Sequence, residues 1–299
     1  MPGQSDMKTP CGRTRFCEKN NCPHVSRCRS MQKKEAPGKK AESAPKRCLA
    51  WPANVVYVYD GSFVGFLCCV HESVYTHELP AAIFSPGEGQ PSLFEQRWVE
   101  SDAEKASRVR ASIPKKISNE ALLLVETVFL SCIAEKELVL LRFLLLGYRE
   151  GGKVASLLGH REVAPVLAAE RHLLREAHLL KGFVRFSDYD GVLAASITPK
   201  NFVLPFLQEH FVARYSEEDF IIYDKAHKAA LLFQNQKADI MPMEDIQFPA
   251  ADDTEQGYRA LWKQFYHTIA IEARYNPKCR RTMMPKRYWE NMTEMMDLL

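Results

Sequence analysis

The densest reactive stretch of the chain is EARYNPKCRRTMMPKRYWENM, residues 272–292. It carries six cations, Arg274, Lys278, Arg280, Arg281, Lys286 and Arg287, with only Glu272 before them and Glu290 after them. Lys and Arg gathered on one exposed surface are what phosphate contacts require, and the open amides of a helix start add to them. Tyr288 and Trp289 follow at once, and either could stack on an unpaired base. The plain structural account stands beside this one. Cations near a helix C-terminus complement its dipole, and the two aromatics can pack the last helix onto the core.

A second cluster is CGRTRFCEKNNCPHVSRC, which places Cys11, Cys17, Cys22 and Cys28 within eighteen residues, with His24 among them. Four thiols in a segment with no apolar period suggest a tetrahedral zinc site, because the metal supplies folding energy that a core cannot. An iron–sulfur cluster is the less favoured cofactor, and a tail of unliganded thiols is the metal-free reading. Weaker candidates are His172, Glu176 and His178 on one helix, read as a solvated face, and Asp60 at a strand end, read as a helix cap. No phosphate-binding glycine loop, dinucleotide fingerprint, nucleophile elbow or zinc-protease motif occurs.

Charge divides the chain. Residues 1–47 hold 12 Lys/Arg against 4 Asp/Glu, a net +8, and residues 48–299 hold 28 against 33, a net −5. The reading is a basic, Cys-rich extension and linker over 1–47, followed by a body over 48–299. Within the body the expected parts are a helical middle at about 101–182 and a hairpin-and-helix part at about 183–299. No stretch reaches the ~20 apolar residues of a membrane span, and the N-terminus has no apolar leader core, so the expected compartment is the cytoplasm.

The elements that must position these residues follow from pattern. Residues 55–61 read as a strand leading into a helix capped by Asp60 or Ser62. A capping box at Ser101 and Glu104 opens a helix to about Ile113, with further helices at about 119–134, 136–148 and 161–181. Asp190-Gly191 marks a hairpin, and residues 219–233 suggest a second one. A helix opens at Thr198-Pro199. A long helix capped at Asp253 runs to Asn276-Pro277, with Tyr258, Leu261, Trp262, Phe265, Ile269 and Ala273 as its buried face. The class is α+β, a helical bundle plus antiparallel hairpins.

The segments VYDGSFVGFLCCV, REAHLLKGFVRF, HFVARY and IAIEARYNPKCRRTMMPKRYWENM together resemble a bacterial family of DNA metabolism and DNA repair proteins. The likeness covers about residues 55–295. It implies DNA as a partner and a neighbouring radical-SAM protein that also acts on DNA. In some members a similar domain is fused to a uracil-DNA glycosylase-like module. Arg274, Asn276, Pro277, Met284, Pro285, Arg287, Tyr288 and Trp289 match the family's C-terminal signature. No catalytic residue is carried over by the resemblance. The expectation is an accessory factor. A rival is an enzyme acting on damaged bases, with Asp60 or Glu272 as its acid or base, and a third reading is a structural partner without DNA contact.

Overall fold

The computed structural model describes residues 51–87 and 93–298, all within the unit Arg47–Leu299. The cysteine cluster and the basic linker lie outside the described residues.

β2 (Val55–Val58) is Val-rich and buried along most of its length, as a strand covered on both faces must be. It pairs in parallel with β4 (Ala82–Phe84) on one side and β5 (Glu95–Trp98) on the other. A two-residue parallel pair, β1 (Trp51–Pro52) with β3 (Glu78–Leu79), flanks this sheet. The pairing here is parallel, and the expected antiparallel hairpins lie in the C-terminal half. The parallel pairing arises because α1 (Phe63–Thr76) intervenes between β2 and β4, and a crossover of that length brings the chain back in the same direction. Ser62 caps α1 by accepting from Gly65 N at 2.9 Å, the role expected of it or Asp60.

The helical middle is α2 (Ala103–Lys116), α3 (Asn119–Phe129), α4 (Lys136–Glu150) and α5 (Ala164–Phe183). The cap of α2 is Asp102, whose side chain accepts from Glu104 N and Lys105 N; Ser101 turns away to bond Asp60 instead. Asp102 can reach two free amides and Ser101 none, so the expected capping box does not form. α5 is long enough to serve two cores. Val166 and Ala169 pack with the parallel sheet and helices, and Ala177 and Leu180 pack with the C-terminal half.

That half is a five-stranded sheet, in order β10-β9-β8-β7-β6. β6 (Ser187–Tyr189) and β7 (Val192–Ile197) form the expected hairpin, with Tyr189 opposite Val192 and both Asp190 and Gly191 at positive φ. β7 and β8 (Asp219–Asp224) run parallel around α6 (Leu204–Arg214). β8 and β9 (Ala229–Gln234) make the second hairpin, and β10 (Lys237–Pro242) closes the edge after an Asn235-Gln236 turn with both residues left-handed.

α7 (Asp253–Thr268) is capped by Asp252, not Asp253, and stops eight residues short of Asn276. Its apolar stripe is a second correction, since Tyr258, Leu261, Phe265 and Ile269 are all more than half exposed. α7 is held instead through other side chains. Arg259 pairs with Glu255 and bonds Ser187, Lys263 pairs with Asp297, and Trp262 Nε1 donates to Glu294. Periodicity identifies an apolar face but not what the face meets.

Candidate nucleic-acid interface

The C-terminal cations occupy three short elements, not the end of one long helix. Arg274 lies in a 3-10 turn, Glu272–Arg274. Lys278, Arg280 and Arg281 lie on α8 (Pro277–Met283), whose cap is Asn276, accepting from Cys279 N at 2.9 Å. Lys286 and Arg287 begin a second 3-10 turn, Lys286–Asn291. Asn276-Pro277 therefore starts a helix where a stop was expected. A capping side chain followed by Pro at the first helical position suits a helix start as well as it suits a stop.

The element is fixed from beneath by two buried carboxylates. Glu176 on α5 is 2% exposed. It accepts from Tyr288 Oη at 2.7 Å, Arg287 Nη2 at 2.9 Å, Asn201 N at 2.8 Å, Asn201 Nδ2 at 2.5 Å and Lys200 N at 3.1 Å. Burial pushes the Glu176 carboxyl up, but these donors outweigh it and hold the group below the usual carboxylate range. Burial, and then the bond to Glu176, push the Tyr288 hydroxyl well above its ordinary value. Asn201 is the hub: its Oδ1 accepts from Cys132 N, and its Nδ2 also meets His172 Nδ1 at 3.1 Å. Glu294 makes the second clamp, bound to Arg185 through Nη2 at 2.6 Å and Nε at 3.2 Å, with Trp262 Nε1 at 2.9 Å. Its carboxyl is likewise pushed up by burial and more than recovered by these bonds.

Three of the eight expected contact residues are thereby removed from the surface role. Tyr288 and Trp289 are 2% and 3% exposed and belong to the core with Met292 and Met295, so neither offers a face to a base. Arg287 is committed to Glu176 and to the Tyr288 hydroxyl. The solvated-face reading of Glu176 is also overturned. α6 and the tail fold over that face of α5, and a carboxylate can be buried there because it is fully hydrogen-bonded. Asn201 went unremarked in the sequence, where only its place beside the Thr198-Pro199 turn singles it out.

Four of the five remaining cations are open. Arg274, Lys278, Arg281 and Lys286 are exposed, and among the described residues none of them forms an ion pair. Arg281 Nε donates to Pro277 O, one turn back on its own helix, at 3.3 Å. Arg280 is partly covered, with its guanidinium 5.6 Å from the Tyr275 ring and 5.4 Å from that of Trp289. The sequence profile of a domain of unknown function, DUF4130, matches residues 134–294, just over half of the chain. The chain belongs to the DUF4130 family. The DUF4130 match takes in α4, α5, the five-stranded sheet, both clamps and every cation of this element, and leaves out the parallel sheet. No curated protein matches the chain.

Asp60, outside the DUF4130 match, has a structural task. Its Oδ1 accepts from Ser62 N at 2.9 Å and Ser62 Oγ at 2.7 Å, and its Oδ2 accepts from Ser101 Oγ at 2.6 Å. Slight burial opposes ionisation, but these bonds hold the carboxyl below its usual range. It ties the turn after β2 to the turn after β5. Gly65 is required beside it, since a Cβ there would lie 2.2 Å from Asp60 Oδ1. Glu272, the other acid or base considered, is exposed on the 3-10 turn. No group of three or more potential metal ligands occurs among the described residues, and no described helix is long and apolar enough to cross a membrane.

Proposed function

We propose that the chain is a DNA-binding accessory factor of DNA repair or DNA metabolism, acting in the cytoplasm beside a radical-SAM partner. The observation that carries this reading is the set Arg274, Lys278, Arg281 and Lys286, four exposed cations without a carboxylate partner among the described residues, on a body of net negative charge. Holding such an element costs self-repulsion, and the Glu176 and Glu294 clamps counter it by anchoring the segment from below. The resemblance of the C-terminal signature to DNA repair proteins supports the same direction and is the source of the partner. The N-terminal cysteines would take zinc and the basic linker would add non-specific charge.

Binding of a labelled duplex to the full chain, followed by anisotropy at stepped salt, tests the reading. Four phosphate contacts alone give a slope of log affinity against log salt of about −3.6, so affinity falls at least about a hundredfold between 50 and 200 mM, and contacts from the basic linker steepen the slope further. Absence of binding at low salt counts against the proposal.

A further inference from the structure

We propose that the cleft between the end of α7 and α8 receives one unpaired nucleobase of a single-stranded nucleic acid. This rests on the nucleic-acid reading above and adds a strand preference to it. The cleft has a volume of about 550 Å³, within the span of small-molecule sites, and none of its lining side chains is acidic. Ile269 and Ile271 give it an apolar wall, and both are more than half exposed. Tyr275 lies on its rim at 68% exposure, so its ring is available to a second planar group.

Arg280 supplies the independent observation. It lines the cleft between the Tyr275 and Trp289 rings, and its Nε is buried without a hydrogen-bond partner among the described residues. Buried donors in folded proteins are nearly always satisfied, and this one lies covered beside two rings, so an acceptor reaches it only when the Arg280 side chain shifts as a ligand enters the cleft. The edge of a nucleobase carries such acceptors, and its face stacks on Tyr275 while the guanidinium supports the ring. The phosphates on either side then fall to Arg274 at the wall and to Lys278 and Arg281 on α8, none of them paired with a carboxylate among the described residues. A paired base inside a duplex has both faces covered and cannot reach the ring, so the ligand is a strand with a free base.

The test compares the full chain's binding of a fluorescein-labelled oligo-dT strand with that of a blunt duplex of equal length at one salt concentration. Electrostatics alone favours the duplex, whose charge density is higher. The proposal expects the single strand to bind about tenfold more tightly. Tyr275→Ala should abolish most of that preference and leave duplex affinity within about twofold. Lys278→Ala with Arg281→Ala should weaken both forms alike. Millimolar dTMP should not displace the strand; displacement would overturn the strand assignment in favour of a mononucleotide site. Binding of both forms with Tyr275→Ala changing neither, or both equally, would overturn the cleft while leaving DNA binding intact. No binding of either form by the wild-type chain would overturn the parent reading itself. Tyr275 is exposed, and an unchanged melting temperature confirms that its variant is folded.

Discussion

Replacing Glu176 by Ala should loosen the whole C-terminal element. The carboxylate takes bonds from Tyr288, Arg287, Lys200 and Asn201, and its side chain is 1% exposed against 35% for Arg287. Removing one partner of a buried ion pair typically costs about 3–5 kcal/mol, and each buried donor left orphaned costs about 1–3 kcal/mol. Arg287 is near enough to solvent to rehydrate, which places the loss at the low end, about 3 kcal/mol. For a unit of this size that lowers the melting temperature by about 6–12 °C. Urea unfolding followed by circular dichroism reads the change as a fall in midpoint at constant slope. Glu176→Gln, which keeps the shape but turns an amide toward these donors, should fall between Ala and wild type. A loss under about 1 kcal/mol for Glu176→Ala, the size of an exposed surface pair, refutes the anchoring role.

Acid should act on the same clamps. Both Glu176 and Glu294 have folded carboxyls below their ordinary range, so their contribution is complete above the unfolded value of about 4.3 and is lost as pH falls through the folded values. Unfolding midpoints measured from pH 6 to pH 2 should drop below about pH 4, with a smaller drop for Glu176→Gln. Gly65→Ala, which forces a Cβ onto Asp60 and Ser101, should cost about 1–3 kcal/mol in urea unfolding. Thiol labelling of the native chain with peptide mapping should modify exposed Cys132 and Cys279 and spare buried Cys68 and Cys69 until denaturant is added. Burial holds the Cys69 thiol far above its ordinary value, which also slows its reaction. Metal analysis of the purified chain should find about one zinc per molecule, lost when Cys17 and Cys22 are changed to Ser; a metal-free, fully folded chain counts against the cysteine assignment.

Local chemistry was legible and partnership was not. Asp190-Gly191 announced its hairpin because a two-residue turn needs left-handed residues at those positions. The strand at 55–58 and the helix after it were readable for similarly local reasons. Parallel pairing of β2 with β4 and β5 depends on how crossovers return, which no short window encodes. The stripe on α7 shows the same limit, since spacing alone could not reveal that its rings stay exposed. In the candidate interface, the cations were plain in the sequence, but their division was not. Arg287 meets Glu176 across 111 residues of chain, so the one cation of this element that is paired with a carboxylate among the described residues looked like the rest. Asn201 escaped notice because a buried Asn has no signature beyond the bonds it makes.

The most direct measurement is the salt dependence of duplex binding by the wild-type chain and by a Lys278→Ala, Arg281→Ala double variant. A slope of about −3 to −4 or steeper, the excess coming from the basic arm, that becomes shallower by about 1.8 in the double variant is the outcome required by four cations without a carboxylate partner among the described residues, of which the variant lacks two. No binding at 50 mM salt, or a slope that the double variant leaves unchanged, would contradict the assignment of this surface to phosphate.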